Sequence, residues 1–125
     1  MFLNRELLYE PQPEIENSPS FDRKHFERQT FGDRNLQREI IGLFLAQVAG
    51  SRSTLLEPMT NTSWRYLTHT LKGAAGAVGA TQFAILAGQW ELAGSPRDAE
   101  ARLALVQVFE VEQAAFAKAV QSYLE

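Results

Sequence analysis

From Phe21 onward the apolar residues recur at steps of three and four, the period of a helix with one buried face. Asp22 is a suitable N-cap for a short helix from Arg23 to about Thr30, and Phe31-Gly32 ends it, with Gly32 suited to a left-handed exit. Asp33 caps the next helix, which the spacing extends from about residue 34 to 56, short of Pro58. Its stripe is Leu36, Ile40, Leu43, Phe44 and Val48. Asn61 or Thr62 caps a third helix with Trp64, Leu67, Leu71, Ala74, Ala75 and Val78 inward and Gly79 as its stop. Thr81 caps a fourth, with Phe83, Leu86, Ala87 and Trp90 inward and Gly94 as its end. Ser95-Pro96 reads as a helix start, a Ser cap followed by Pro at the first helical position. That last helix runs to about Leu124 and buries Leu103, Val106, Phe109, Phe116 and Val120.

Period-2 alternation is missing, so no strand is expected, and the fold class is all-α. Four long helices with short connections predict an antiparallel up-down-up-down four-helix bundle, preceded by a short N-terminal helix. Residues 1–20 read as a tail. Leu7-Leu8-Tyr9 would suit one helical turn, but Pro11, Pro13 and Pro19 interrupt anything longer. Residues 21–125 form the domain.

Composition narrows the function. Cysteine is absent and there are only two histidines, which leaves no thiolate chemistry and little for a transition metal. A net charge of −3 argues against general nucleic-acid binding. No apolar run approaches the ~20 residues of a membrane span. Met1 to Glu6 is too charged for a signal-peptide core, so a cytoplasmic protein is expected.

The third helix breaks a local rule. His69-Thr70-Leu71-Lys72-Gly73-Ala74-Ala75-Gly76 places two glycines inside a helix, at about 1 kcal/mol each relative to Ala. Facing gives the reason. His69 is two positions from both Leu67 and Leu71, about 200° away from each, and so points to solvent. Arg65, Lys72, Gly73 and Gly76 stand at helical steps from His69 and share its side. An exposed imidazole is a nucleophile near neutral pH. A phosphoryl group placed on it would carry negative charge, which Lys72 can partly neutralise one turn away. The missing side chain at Gly73 lets another protein's backbone approach. Phosphoryl transfer asks for an in-line approach and charge stabilisation, and little else.

His69-x-Leu71-Lys72-Gly73, followed by Ala-Ala-Gly-Ala-Val-Gly79-Ala80, resembles the signature of histidine-containing phosphotransfer domains of multistep phosphorelays. The helical layout from about residue 22 to 124 is similar to that family's four-helix bundle with a short leading helix. The resemblance implies that His69 is the phosphoacceptor, that Lys72 stabilises the phosphoryl group and that Gly73 gives the partner room. It implies receiver domains as partners, one on a hybrid histidine kinase and one on a response regulator. It implies no cofactor on this chain, the Mg2+ coming from the receiver. It also extends docking to the next helix, which here offers Gln82 and Gln89. Arg65 and Tyr66 are candidate rim residues of such an interface, and Gly76 reads equally as docking clearance or as close helix packing. The chain departs from the family at Ala74, where Ser is frequent, and so lacks one hydroxyl.

With no kinase core, the expectation is a phosphocarrier and not an enzyme, with an exposed histidine row that favours a monomer. The competing reading is a non-catalytic helical bundle that binds a partner through this face and carries no phosphate. A glycine-rich phosphate loop is excluded, because Gly73, Gly76 and Gly79 have neither accepted spacing and follow no strand. His25 reads as an ordinary helix residue beside Arg23 and Lys24, and Trp64 and Trp90 read as core anchors. Glu57 and Glu91 have no partner visible in the sequence, and no role is assigned to them.

Overall fold

Helix signals and tertiary packing together set where each element begins. A computed structural model describes residues 19–125, so the expected turn at Leu7-Leu8-Tyr9 lies outside the described residues. Five helices follow one another: α1 (Arg23–Gln29), α2 (Arg34–Leu55), α3 (Asn61–Ala77), α4 (Thr81–Ala93) and α5 (Ala99–Leu124). The described residues contain no strand, and none of their helices is long and apolar enough to cross a membrane.

Two caps stand where the sequence puts them. The Asp22 side chain accepts from the His25 N–H, and that of Asp33 accepts from the N–H groups of Asn35 and Leu36. Between these helices Phe31 and Gly32 both take positive φ, 55° and 68°, which reverses the chain. Three starts differ from expectation. Thr60, not Asn61 or Thr62, caps α3, its hydroxyl accepting from the Ser63 N–H. Thr81 is the first residue of α4 and not its cap. Ala80 holds the cap position without a side-chain bond, because a left-handed Gly79 and a buried Ala80 fix that turn by backbone geometry. Ser95-Pro96 does not start α5. Pro96 is buried in the connection, and the carboxylate of Asp98 caps the helix by accepting from the Ala101 N–H at 2.8 Å.

The inward face of α2 runs Gln37, Ile41, Phe44, Val48, Ser51 and Leu55, every step three or four. Leu36 and Ile40 are only half-buried at its margin, and Leu43 is 67% exposed. Leu43 is two positions from Ile41, and that rotation of about 200° carries it off the face. Leu103 is 51% exposed for the same reason, two positions from both Ala101 and Leu105. The inward face of α3 is Trp64, Thr68, Leu71 and Ala75, with Leu67 and Ala74 half-buried beside it. All four residues expected inward on α4 are buried.

The core joins these faces through aromatic edges. Phe44 of α2 meets Phe83 of α4 and Phe116 of α5, with ring centroids 6.0 and 5.3 Å apart. Trp90 of α4 stacks on Phe109 of α5 at 6.1 Å. Helices α2 and α5 meet end to opposite end. Arg34 lies over the Tyr123 ring at 4.5 Å, and Arg102 donates to the Leu56 carbonyl at 3.0 Å. Buried Gln37 is satisfied by donating to the hydroxyls of Thr30 and Tyr123. Helices α3 and α4 share the most extensive contact, locked where the Trp64 indole N–H donates to the Trp90 carbonyl at 2.8 Å. This pair carries the site.

Candidate functional site

Burying Trp64, Leu71 and Ala75 turns the opposite side of α3 to water, and His69 stands at the middle of that side. Its side chain is 72% exposed. Arg65, one turn before it, and Lys72, one turn after, are also exposed. Gly73 and Gly76 continue the row, and among the described residues a Cβ built on either would meet nothing within 4 Å. The two glycines therefore leave bare, open backbone beside the imidazole and are not seats for a neighbouring helix.

The imidazole is held from one side. Its Nδ1 lies 3.4 Å from Oε2 of Glu91, whose side chain is 22% exposed. Glu91 follows Trp90, and burial of that indole in the core rotates the next side chain towards α3. The two ring nitrogens therefore differ in surroundings: Nδ1 is on the side of the Glu91 carboxylate. Nothing local in the sequence signals this partner. The contact joins residues 22 positions apart and exists only once α3 and α4 pair.

Lys72 lies across α4. Its Cδ and Cε are 3.6 and 3.7 Å from the point where a Cβ on Gly88 would stand. Among the described residues its ammonium makes no ion pair. Glu91 lines three recesses, two of which reach His69 or Lys72. Thr62, Arg65, Tyr66 and His69 line one with it, and Lys72, Ile85, Gly88, Gln89 and Leu92 line the other. The large exposed apolar groups Tyr66 and Leu92 stand on this side.

The other expected residues divide. Gln89 joins the site through the second recess. Gln82 lines neither recess, and its Oε1 accepts from the Ser20 hydroxyl at 2.9 Å. It sits nine residues before Glu91 on α4, about 13 Å along the helix axis. His25 belongs to the capping turn of α1. Among the described residues no three metal-ligating side chains gather into a metal site. The chain matches no protein-family model, no curated protein and no solved structure.

Proposed function

We propose that this protein is a phosphocarrier that takes a phosphoryl group onto His69 from the aspartyl phosphate of one receiver domain and gives it to the aspartate of another. The observation that carries this reading is the pairing of an exposed imidazole, its Nδ1 3.4 Å from the Glu91 carboxylate, with bare backbone at Gly73 and Gly76. The Nε2 lone pair attacks phosphorus in line with the aspartyl oxygen. The N–P bond forms as the P–O bond breaks, and the departing carboxylate keeps the electron pair. The ring, still protonated at Nδ1, is then an imidazolium, and Glu91 balances its charge. Lys72 faces the phosphoryl oxygens as a free cation. The reverse step returns the lone pair to Nε2 and leaves the ring neutral.

The reading includes an up-down-up-down order for α2 to α5, a cytoplasmic location, a monomeric state and transient docking on receiver domains. One belongs to a hybrid histidine kinase and one to a response regulator, with Mg2+ supplied by the receiver. The resemblance of His69-Thr-Leu-Lys72-Gly73 to the histidine-containing phosphotransfer signature supports it. A second reading, a docking module without phosphate, draws on the exposed apolar pair Tyr66 and Leu92. One experiment separates them. Receiver domains phosphorylated on aspartate are mixed with the protein, and the modified residue is located by mass spectrometry at neutral pH. A label on His69 that disappears in His69→Gln is expected. Stable binding without label favours the docking module, and a label retained in His69→Gln ends the phosphocarrier reading.

A further inference from the structure

We infer that Gly88 is a positioning residue for Lys72: the missing side chain on α4 is the trough in which the lysine stem lies, and it sets where the ammonium meets the phosphoryl group. The inference rests on the phosphocarrier reading and adds to it a residue that the His69 motif does not contain.

The argument starts from helix pairing. Lys72 is one turn beyond His69 on α3, and Gly88 is one turn before Glu91 on α4. His69 meets Glu91 and Lys72 meets Gly88, so the two contacts are successive rungs across one helix pair. Glycine inside a helix costs about 1 kcal/mol relative to Ala. Gly88 has helical neighbours on both sides and no positive φ that would call for glycine. Among the described residues, the atoms that other parts of the fold bring within 4 Å of its vacant Cβ position are Cδ and Cε of Lys72. An exposed lysine on a helix is otherwise free to sample many rotamers, and its charge is then spread over a wide volume. Resting two methylenes on α4 removes part of that freedom, and Lys72 and Glu91 line the same recess.

The contact distances make the size limit specific. At 3.6 and 3.7 Å an alanine methyl would touch the stem without displacing it. A branched or longer side chain would occupy the path of the stem and lift Lys72 off α4. Gly88→Ala should therefore keep the rate of phosphoryl uptake. Gly88→Leu should lower it about two- to fivefold, the scale of one exposed charge pair, and by the same factor as Lys72→Ala.

Gly88 also borders the presumed docking face, so a bulky residue could act by obstruction instead. The double variant separates the two. If Gly88 acts through Lys72, Gly88→Leu adds no further loss in a Lys72→Ala background. An equal second loss there would overturn the inference, as would a wild-type rate for Gly88→Leu. Gly88→Gln serves as the second bulky variant, with helical content checked by circular dichroism. The contact is also read without any label. Nuclear Overhauser contacts between the Lys72 Hδ and Hε protons and the Gly88 Hα protons are expected in the wild type, and their absence overturns the inference. A wild type that shows them but takes no label overturns the phosphocarrier reading instead.

Discussion

At His69 the Glu91 carboxylate stands on the Nδ1 side of the ring, and under the proposed function it selects the nitrogen that takes the phosphoryl group. Glu91 at 3.4 Å from Nδ1 favours the tautomer protonated there and leaves Nε2 open. Glu91→Ala should let both tautomers populate, which nitrogen-15 shifts of the His69 ring would reveal as averaging. Phosphoryl uptake should fall about two- to fivefold, because the carboxylate no longer balances the imidazolium product. Glu91→Gln keeps an oxygen acceptor without the charge and should hold the tautomer while losing part of the rate. An unchanged tautomer ratio in Glu91→Ala would show that the carboxylate does not orient the ring. His69, Lys72 and Gly73 were legible in the sequence because they share one helix, where spacing fixes facing. Glu91 and Gly88 were not, because they face the motif from a different helix.

At the scale of elements, equal residues do unequal work. Gly73 lies on the outward face of α3, and a methyl there meets nothing within 4 Å among the described residues. Gly79 lies at the turn into α4 with φ of 76°, and a Cβ there would fall 2.7 Å from the Asp22 carbonyl oxygen. The Asp22 N–H also donates to the Gly79 carbonyl at 2.7 Å, so this turn anchors the start of α1. Gly73→Ala should stabilise the fold by up to about 1 kcal/mol. Gly79→Ala should destabilise it by about 1–3 kcal/mol, since both backbone conformation and space oppose the methyl. Urea denaturation of the two variants checks this, and opposite signs are the expected outcome. The ends of α3 and α5 carry a related lesson. Several Ser, Thr, Asn and Asp residues near each start can cap, and the chain path into the core selects among them. For α5 it selects Asp98 because burial of Pro96 spends that residue on the connection.

At the scale of the molecule, folding also buries charge. Glu112 sits on the inward side of α5, and burial pushes its carboxyl above the ordinary 4.5. The ionised form is the one penalised in the folded state. The penalty is therefore complete above the raised folded value and fades as pH falls through it towards 4.5. Glu112→Gln should be more stable than the wild type at pH 7, because the amide carries no charge to desolvate. The gap should narrow as pH is lowered to the ordinary carboxyl range. Paired thermal melts at pH 7 and near pH 4.5 test the sign, and a gap that widens on acidification would contradict it.

The sequence by itself determined that the chain is helical, roughly where five helices lie, and that His69, Lys72, Gly73 and Gly76 share an outward side of the third. These follow from a 3.6-residue period, which is a property of local geometry. Which of the apolar residues were to be spectators was not local. Leu43 and Leu103 are as hydrophobic as their buried neighbours, and only the direction of the helix contacts leaves them in water. The same is true of the partner that fixes the imidazole and of the trough that seats the lysine. Both require the last turns of α4 to lie against the middle of α3, an alignment set by Trp64 and Trp90 in the core. Tertiary packing decided these, because a contact between helices depends on two rotations and one register, and no single stretch of sequence contains all three.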